Sequence, residues 1–546
     1  MKIINYLLFI LAAGGLHPHL YSQTTIVQNS TITQQQVFAN IDTLIIQNCQ
    51  FSNINGEAVR FSGIDYVEIS NCSFTNISNT ISTRAVICGK STSKVLLKNL
   101  DLQNISGTAI RIPTDGASLL SDRVGTVIID SVNIYNCQST TSLLGDAIRI
   151  FHTDSLFVSN STLKKIDNMG IDIGRNSSTT QTAQKVNYCH INNNQIDSVL
   201  ADGIGAKENI DFALIENNTI TNIAYDGIGA RPADGDHGIY WQAPNAVIRN
   251  NFISQVKDGL VSGNYGRGIS LRTNATITNN TVSHCTGGGI GYFNDHPSNG
   301  NIFIANNVVY DCMSQGIYMN GSNGNILNPN SVSHPDSVFV FHNTVLNEPI
   351  QTPMHLSAPI AFNSMTSKNY LAGNILIFAT VIDTTEHLFT TNTSHLIKQY
   401  NHLVSGDINF EDYPNRILNL TSSSSAVDLL PFGTTFVSHD ILNNLRTGNH
   451  DAGAYEFMIN TTGLSSLSTE PPRIQFFPNP SQGQLNFNSS QTVSNMSVYD
   501  CFGRLIEKIK IDNTSGKIQF EPMGNIFIIQ VVFIDGTTTV TKVCVE

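Results

Sequence analysis

Between about residue 40 and residue 400 the chain alternates two short hydrophobic phrases. One is built around asparagine: IQNCQF, EISNCSF, LLKNLDL, FVSNSTL, INNNQI, IENNTI, IRNNFI, ITNNTV and IANNVV, then FHNTV and AGNIL. The other is TAIRI, DAIRI, MGIDI, DGIGA twice, HGIYW, RGISL, GGIGY and QGIYM. Both carry the every-second-residue alternation of a strand, and no segment between them shows a helical period. Asn218, Asn251, Asn280, Asn307 and Asn343 recur at roughly 24 to 36 residues, which suits one turn of a solenoid. Strand, bend, strand, bend predicts parallel strands stacked coil on coil, in about a dozen coils. Equivalent asparagines would then lie about 4.8 Å apart, close enough for each side chain to bond the next. A β-sandwich needs no recurring Asn phrase, and a propeller needs longer, four-stranded repeats. The expected fold is all-β: a parallel β-helix solenoid over residues 24–400, followed by a small C-terminal β-sandwich.

The ends of the chain read differently. Met1-Lys2, an apolar run from Ile3 to Leu16 and a polar exit at Tyr21-Ser22-Gln23 have the layout of a secretory signal peptide over residues 1–23. No later segment is long and apolar enough to span a bilayer, so no transmembrane segment is expected. A Ser/Thr/Pro-rich stretch at 460–472 predicts a linker between the solenoid with its closing segment, 401–459, and a module at 473–546.

Composition changes this picture little. With 40% hydrophobic and 13% charged residues in 546, the chain is too apolar for disorder. A net charge of -12 disfavours nucleic acid as a partner, because phosphate binding needs a concentrated basic surface. Of nine cysteines, Cys137, Cys285 and Cys312 replace aliphatic residues of sister repeats and read as core. Cys49 and Cys72 share one repeat position, which leaves a disulfide between neighbouring coils open.

Together the two phrases resemble the right-handed β-helix proteins related to pectate-lyase-like and alginate-lyase-like polysaccharide enzymes. That resemblance implies the right-handed fold and leaves the chemistry open, since such coils also serve non-catalytic surface proteins. The stretch ending LRTGNHDAGAYEF is similar to the closing segment found after bacterial surface β-helices, and reads as a cap over an open edge. The last 75 or so residues, with IQFFPNPSQGQLNF, SVYDCFGRLI and GNIFIIQVVFIDGTTTVTKV, resemble the type A sorting domain of the Bacteroidetes type IX secretion system. Pro478, Asn479, Pro480, Gly483, Asp500, Gly503 and Gly524 carry the match. It implies passage through periplasm and outer membrane to the surface or medium, with the secretion machinery as a partner.

Candidate chemistry gathers between Asp202 and Phe293. DGIGAK and DGIGAR place Lys207 and Arg231 at one repeat position, on the expectation that their coils are adjacent. A lysine crowded by an arginine is a candidate general base for β-elimination on a uronic acid, and the arginine would neutralise the carboxylate. RPADGDHGIYWQ follows, with His237 and Tyr240 as an alternative acid/base pair, Asp236 to orient His237 and contact substrate, and Trp241 turned inward by alternation. Arg267 and Arg272 extend a basic stripe suited to an acidic polysaccharide. Asp202, Asp226 and Asp258 recur at a bend and read as turn formers. No metal ligand set is expected, although Asp234, Asp236 and Asp295 leave calcium open as a cofactor. The expectation is a secreted or surface-attached monomer that cleaves an acidic polysaccharide; an adhesin or glycan-binding solenoid and a polysaccharide epimerase stand as alternatives.

Overall fold

Each doubled asparagine makes a bend. The first of the pair, as at Asn193, Asn217, Asn250, Asn279 and Asn306, takes a left-handed conformation with φ between 54° and 58°, which asparagine tolerates better than most residues. The second turns inward, and its side chain ties one coil to the next. Nδ2 of Asn194 donates to Oδ1 of Asn218 (3.0 Å), and the chain continues through Asn251, Asn280, Asn307, Asn343 and Asn374 to Asn401 at 2.8–3.0 Å. The backbone amide at each position donates to the same oxygen, so the bend is fully bonded although buried.

The computed structural model describes residues 3–5, 23–78, 85–113, 120–139, 145–174, 185–207, 209–226, 236–257, 266–294, 300–321, 335–347, 358–378, 388–391, 395–431, 436–458, 474–477, 484–500, 505–519, 526–534 and 538–544. They divide into two compact units, 1–458 and 459–546. Each coil of the first unit contributes three strands to three parallel stacks. The GI phrases form sheet A, with Ile171–Ile173 paired in register to Ile204–Ala206, then Ile239–Trp241, Ile269–Leu271, Ile290–Phe293 and Ile317–Asn320. Sheet B precedes the Asn bend (Val186–Asn192, Ile210–Glu216, Ala246–Arg249) and sheet C follows it (Gln195–Val199, Thr219–Ile223, Phe252–Val256). Parallel pairing continues to His402–Ser405, so the coils run a few residues past the expected boundary at 400. One side chain in two points into a continuous aliphatic core. Full burial of each such residue stabilises by about 1.5–3 kcal/mol.

Register explains the cysteines. Cys72 is opposite Leu100, which is opposite Val132, and the Val132 amide donates to Ser161 Oγ, whose own amide donates to Asn194 Oδ1. Cys49 and Cys72 thus fill the ladder position in the early coils, where the Cys49 amide donates to Cys72 Sγ (3.4 Å). Both are free thiols, so the disulfide left open by the sequence is not formed. Cys137 lies between Ile105 and Ile166 in sheet C, as a small core residue.

The closing segment differs from a plug over the last coil. Its Phe410, Leu418, Leu420, Ala426, Leu430, Ala452 and Ala454 pack against Val308, Leu346, Ile375 and Ile377, which face outward from sheet C. It buttresses the flank of the final coils, and Leu403 of the last described coil stays 46% exposed. Arg446 fastens it: Nη1 donates to Glu456 Oε2 (2.8 Å) and Nη2 to Gly453 O (2.8 Å) and Asn306 Oδ1 (3.2 Å).

The second unit joins Ile474–Phe477, Gln484–Asp500, Leu505–Gln519, Ile526–Phe533 and Thr538–Cys544 in one antiparallel arrangement around Leu485, Phe487, Met496, Val498, Ile529 and Val531. Pro478, Asn479, Pro480, Gly483, Gly503 and Gly524 of the sorting signature lie outside the described residues. Of the expected signal peptide only Ile3–Asn5, paired antiparallel to Thr24–Gln28, and Gln23 are described. No helix among the described residues is long and apolar enough to cross a membrane.

Candidate functional site

The opening isoleucine of each GI strand and the residue two places on point inward, so the residue between them points out. Along sheet A the register therefore aligns Arg111, Arg149, Asp172, Gly205, Tyr240, Ser270, Gly291 and Tyr318 in one outward column. Two residues on, Lys207, Gln242, Arg272 and Phe293 follow one another coil by coil. Three residues before the outward column, Asp202, His237 and Arg267 do the same.

Charge is handled differently at the two ends of this face. On the earlier coils Lys90 donates to Asp122 (2.8 Å) and Arg149 lies between Asp146 (3.2 Å) and Asp172 (3.1 Å), while Arg111 stands 5.4 Å from the Phe151 ring. On the later coils rings take that place. Lys207 Nζ stands 5.0 Å from the centroid of Tyr240; the Arg272 guanidinium is 5.1 Å from Tyr240 and 4.5 Å from Phe293; Arg267 is 5.3 Å from Phe293 and 5.1 Å from Tyr318. Cation and aromatic ring alternate up the stack, a contact that contributes about 0.5–2 kcal/mol each.

The sequence-predicted residues fall into this arrangement unevenly. Lys207, Tyr240 and Arg272 come together and are partly exposed. Arg231 lies outside the described residues, and the register that would have set it beside Lys207 is not adopted. Sheet A takes Ile239–Trp241, not the second DGIGA phrase, as the neighbour of Ile204–Ala206. The residue aligned with Lys207 on the next coil is Gln242. Two copies of one phrase have the same strand propensity, and only tertiary pairing selects between them.

His237 is 3% exposed, with its ring stacked on Tyr240 at 5.3 Å and 15°. The Arg267 amide donates to its Nδ1 (2.8 Å), and its own amide donates to Asp202 Oδ1 (2.8 Å). Asp202 thus ties the bend before its strand to the next coil, as a turn former, and Asp146 does the same for Met169 two coils earlier. His237 positions the Tyr240 ring and does not present a proton to solvent. Asp236 is wholly buried. Trp241 is fully buried, as alternation required. Gln242 was missed by residue-type reasoning: its Nε2 donates to the Tyr240 hydroxyl oxygen (2.6 Å). Its position opposite Arg272 was legible, its role was not. Among the described residues no group of side chains is arranged to hold a metal ion, and Asp234 and Asp295 of the calcium reading lie outside them.

Comparison with known proteins places this geometry. A model of the right-handed β-helix region matches residues 19–186 and 182–347, and a model of the secretion system C-terminal sorting domain matches 475–544. The latter marks the chain for secretion or surface display through the type IX system. No curated protein matches. Among solved structures, two mutants of the periplasmic alginate epimerase AlgG are similar. One has 12% identity and TM-score 0.34 over 70% of this chain and 86% of its own; the other has 10% and 0.26 over 71% and 86%. The Dettilon tailspike protein (gp208) is similar at 14% identity and TM-score 0.25, over 90% of this chain and 71% of its own. At such identities the likeness is one of fold alone. With the family model covering more than half its length, the chain belongs to the right-handed β-helix family.

Proposed function

We propose that the outward face of sheet A binds an acidic, uronic-acid-containing polysaccharide and cleaves it by β-elimination. The observation that carries this is the Lys207–Tyr240–Arg272 cluster: two partly exposed cations stand against one phenol ring on an otherwise acidic protein. In elimination a base takes the proton from C5, the electron pair forms the C4–C5 double bond, and the C4–O bond breaks as the leaving oxygen gains a proton. Neutralising the carboxylate makes C5 acidic.

The sequence reading gave the base to Lys207. The geometry favours Tyr240 for that step, with Lys207 and Arg272 as carboxylate neutralisers, because the lysine ammonium is engaged on the ring. An epimerase needs a second proton donor on the opposite face of the sugar. His237, the candidate, is buried against the same side of Tyr240, which favours elimination over epimerisation. Non-catalytic binding is the second reading, supported by the same burial: of the pair His237 and Tyr240, only Tyr240 is partly exposed.

The test is ultraviolet absorbance of the new conjugated double bond on a panel of uronic-acid polymers. Cleavage that Tyr240→Phe abolishes while binding persists supports the lyase; binding without absorbance change across the panel leaves the glycan-binding reading.

A further inference from the structure

On the coil after Tyr240 stands a buried cation, Arg267, whose amide bonds His237 and whose side chain reaches up the stack to Gln315. This side chain is 7% exposed, yet among the described residues it meets no carboxylate. Burial of a cation is costly unless a counter-charge or full hydrogen bonding compensates it. Arg149 and Arg446, also largely buried, have aspartate or glutamate partners at 3.2, 3.1 and 2.8 Å. Among the described residues Arg267 makes one side-chain hydrogen bond, from Nη2 to Gln315 Oε1 (3.1 Å), and its Nη1 has no partner. Burial accordingly pulls its basicity down, to a pKa of about 10.

The surroundings are shaped to hold it there. A Cβ at Gly288 would come within 2.3 Å of Arg267 Nη1, and one at Gly291 within 2.6 Å of its Cδ. Gly288 also has φ +111°, which other residues rarely adopt. Two missing side chains on one coil thus make a trough along which the arginine runs up the stack to Gln315 and Tyr318. Phe293 and Tyr318, both half-buried, stand over the guanidinium. Two further buried polar atoms on this face, Ser270 Oγ and Gln242 Oε1, also have no partner.

We propose that Arg267, with Ser270 beside it, is a receptor for a second uronate carboxylate of the same polymer. This rests on the function proposed above and extends it. The Lys207–Tyr240–Arg272 cluster takes one charged sugar, and the Arg267 trough takes another two coils on, on the order of 10 Å along the stack. Access requires one of the half-buried rings to turn aside. The recognised unit is then a stretch of polyuronate carrying charge at both points, and a lone uronic acid fills only the first.

Calorimetric titration of the full chain with galacturonate or mannuronate and guluronate oligomers of increasing length tests this. In the wild type, affinity should rise steeply once the oligomer spans both points. In Arg267→Gln that gain should fall by roughly tenfold or more, with monomer affinity unchanged. Gly291→Ala, which displaces the arginine without removing it, should do the same and guards against a folding defect in the first variant. The ligand-induced rise in melting temperature should shrink in parallel, which a merely structural strut would not cause. If the length dependence survives both variants, the second site is wrong while the first stands. If the wild type binds none of these oligomers, the functional reading fails with it.

Discussion

The ammonium of Lys207 stands 5.0 Å from the ring centroid of Tyr240, which the register of sheet A puts on the next coil. Loss of either residue should therefore weaken binding of an acidic glycan. Tyr240→Ala removes the platform for Lys207 and Arg272 together and should cost about 1–3 kcal/mol of binding, more than Lys207→Ala, because both cations lose the ring. Tyr240→Phe keeps the platform and should bind as the wild type. Equal loss in Tyr240→Phe and Tyr240→Ala, measured by titration with polyuronate, would contradict this.

The Asn ladder makes a sharp stability prediction. Asn280 accepts from the Asn251 amide and side chain and donates to Asn307, Ile248 and Thr278. Asn280→Leu strands several buried groups and should cost on the order of 3–5 kcal/mol in urea unfolding. Asn280→Ser should cost less, since Ser161 already serves at this position in an earlier coil. A leucine variant as stable as the serine variant would show that the ladder contributes little.

Docking of the closing segment depends on Gly453. It has φ +87°, its amide donates to Gly373 O (2.7 Å), and a Cβ there would lie 2.4 Å from Ile375 Cδ1. Gly453→Ala should cost about 2 kcal/mol or more and loosen the segment. Limited proteolysis should then cut within 406–458 first and leave the coils intact; an unchanged digestion pattern would count against this docking.

His342 makes the same junction sensitive to acid. It is fully buried beneath the segment, and burial, then the Arg446 and His450 charges, hold its pKa well below the ordinary 6.5. A histidine depressed in the folded state contributes stability that is present above 6.5 and lost as pH falls toward its folded value. Asp451 acts oppositely: burial raises it to about 6, so its neutral form favours the fold and it opposes stability as pH rises from about 4 to 6. His342→Phe should flatten the loss of melting temperature below pH 6.5. A wild-type profile already flat there would contradict the assignment.

Much of the fold was legible because the doubled asparagines and the GI phrase are local signatures of a repeated bend and a repeated strand. Cys137 and Trp241 could be placed inside from alternation alone. Which repeat pairs with which was not legible: the DGIGA copy ending before Arg231 has every local feature of a sheet A strand, yet Ile239–Trp241 takes the place. Burial around the site was equally hidden. His237 and Asp236 look reactive as residue types, but stacking against Tyr240 and full burial assign them to support. The flank position of the closing segment depends on outward aliphatics of sheet C such as Ile375 and Ile377, which in sequence look like core.

The most direct test of the central claim is electrophoresis of the mature protein through gels containing a polyuronate or a neutral polysaccharide. The account predicts retardation by the polyuronate alone, relieved by salt and by Tyr240→Ala. Equal migration of wild type and variant in both gels would contradict a polyanion-binding face on sheet A.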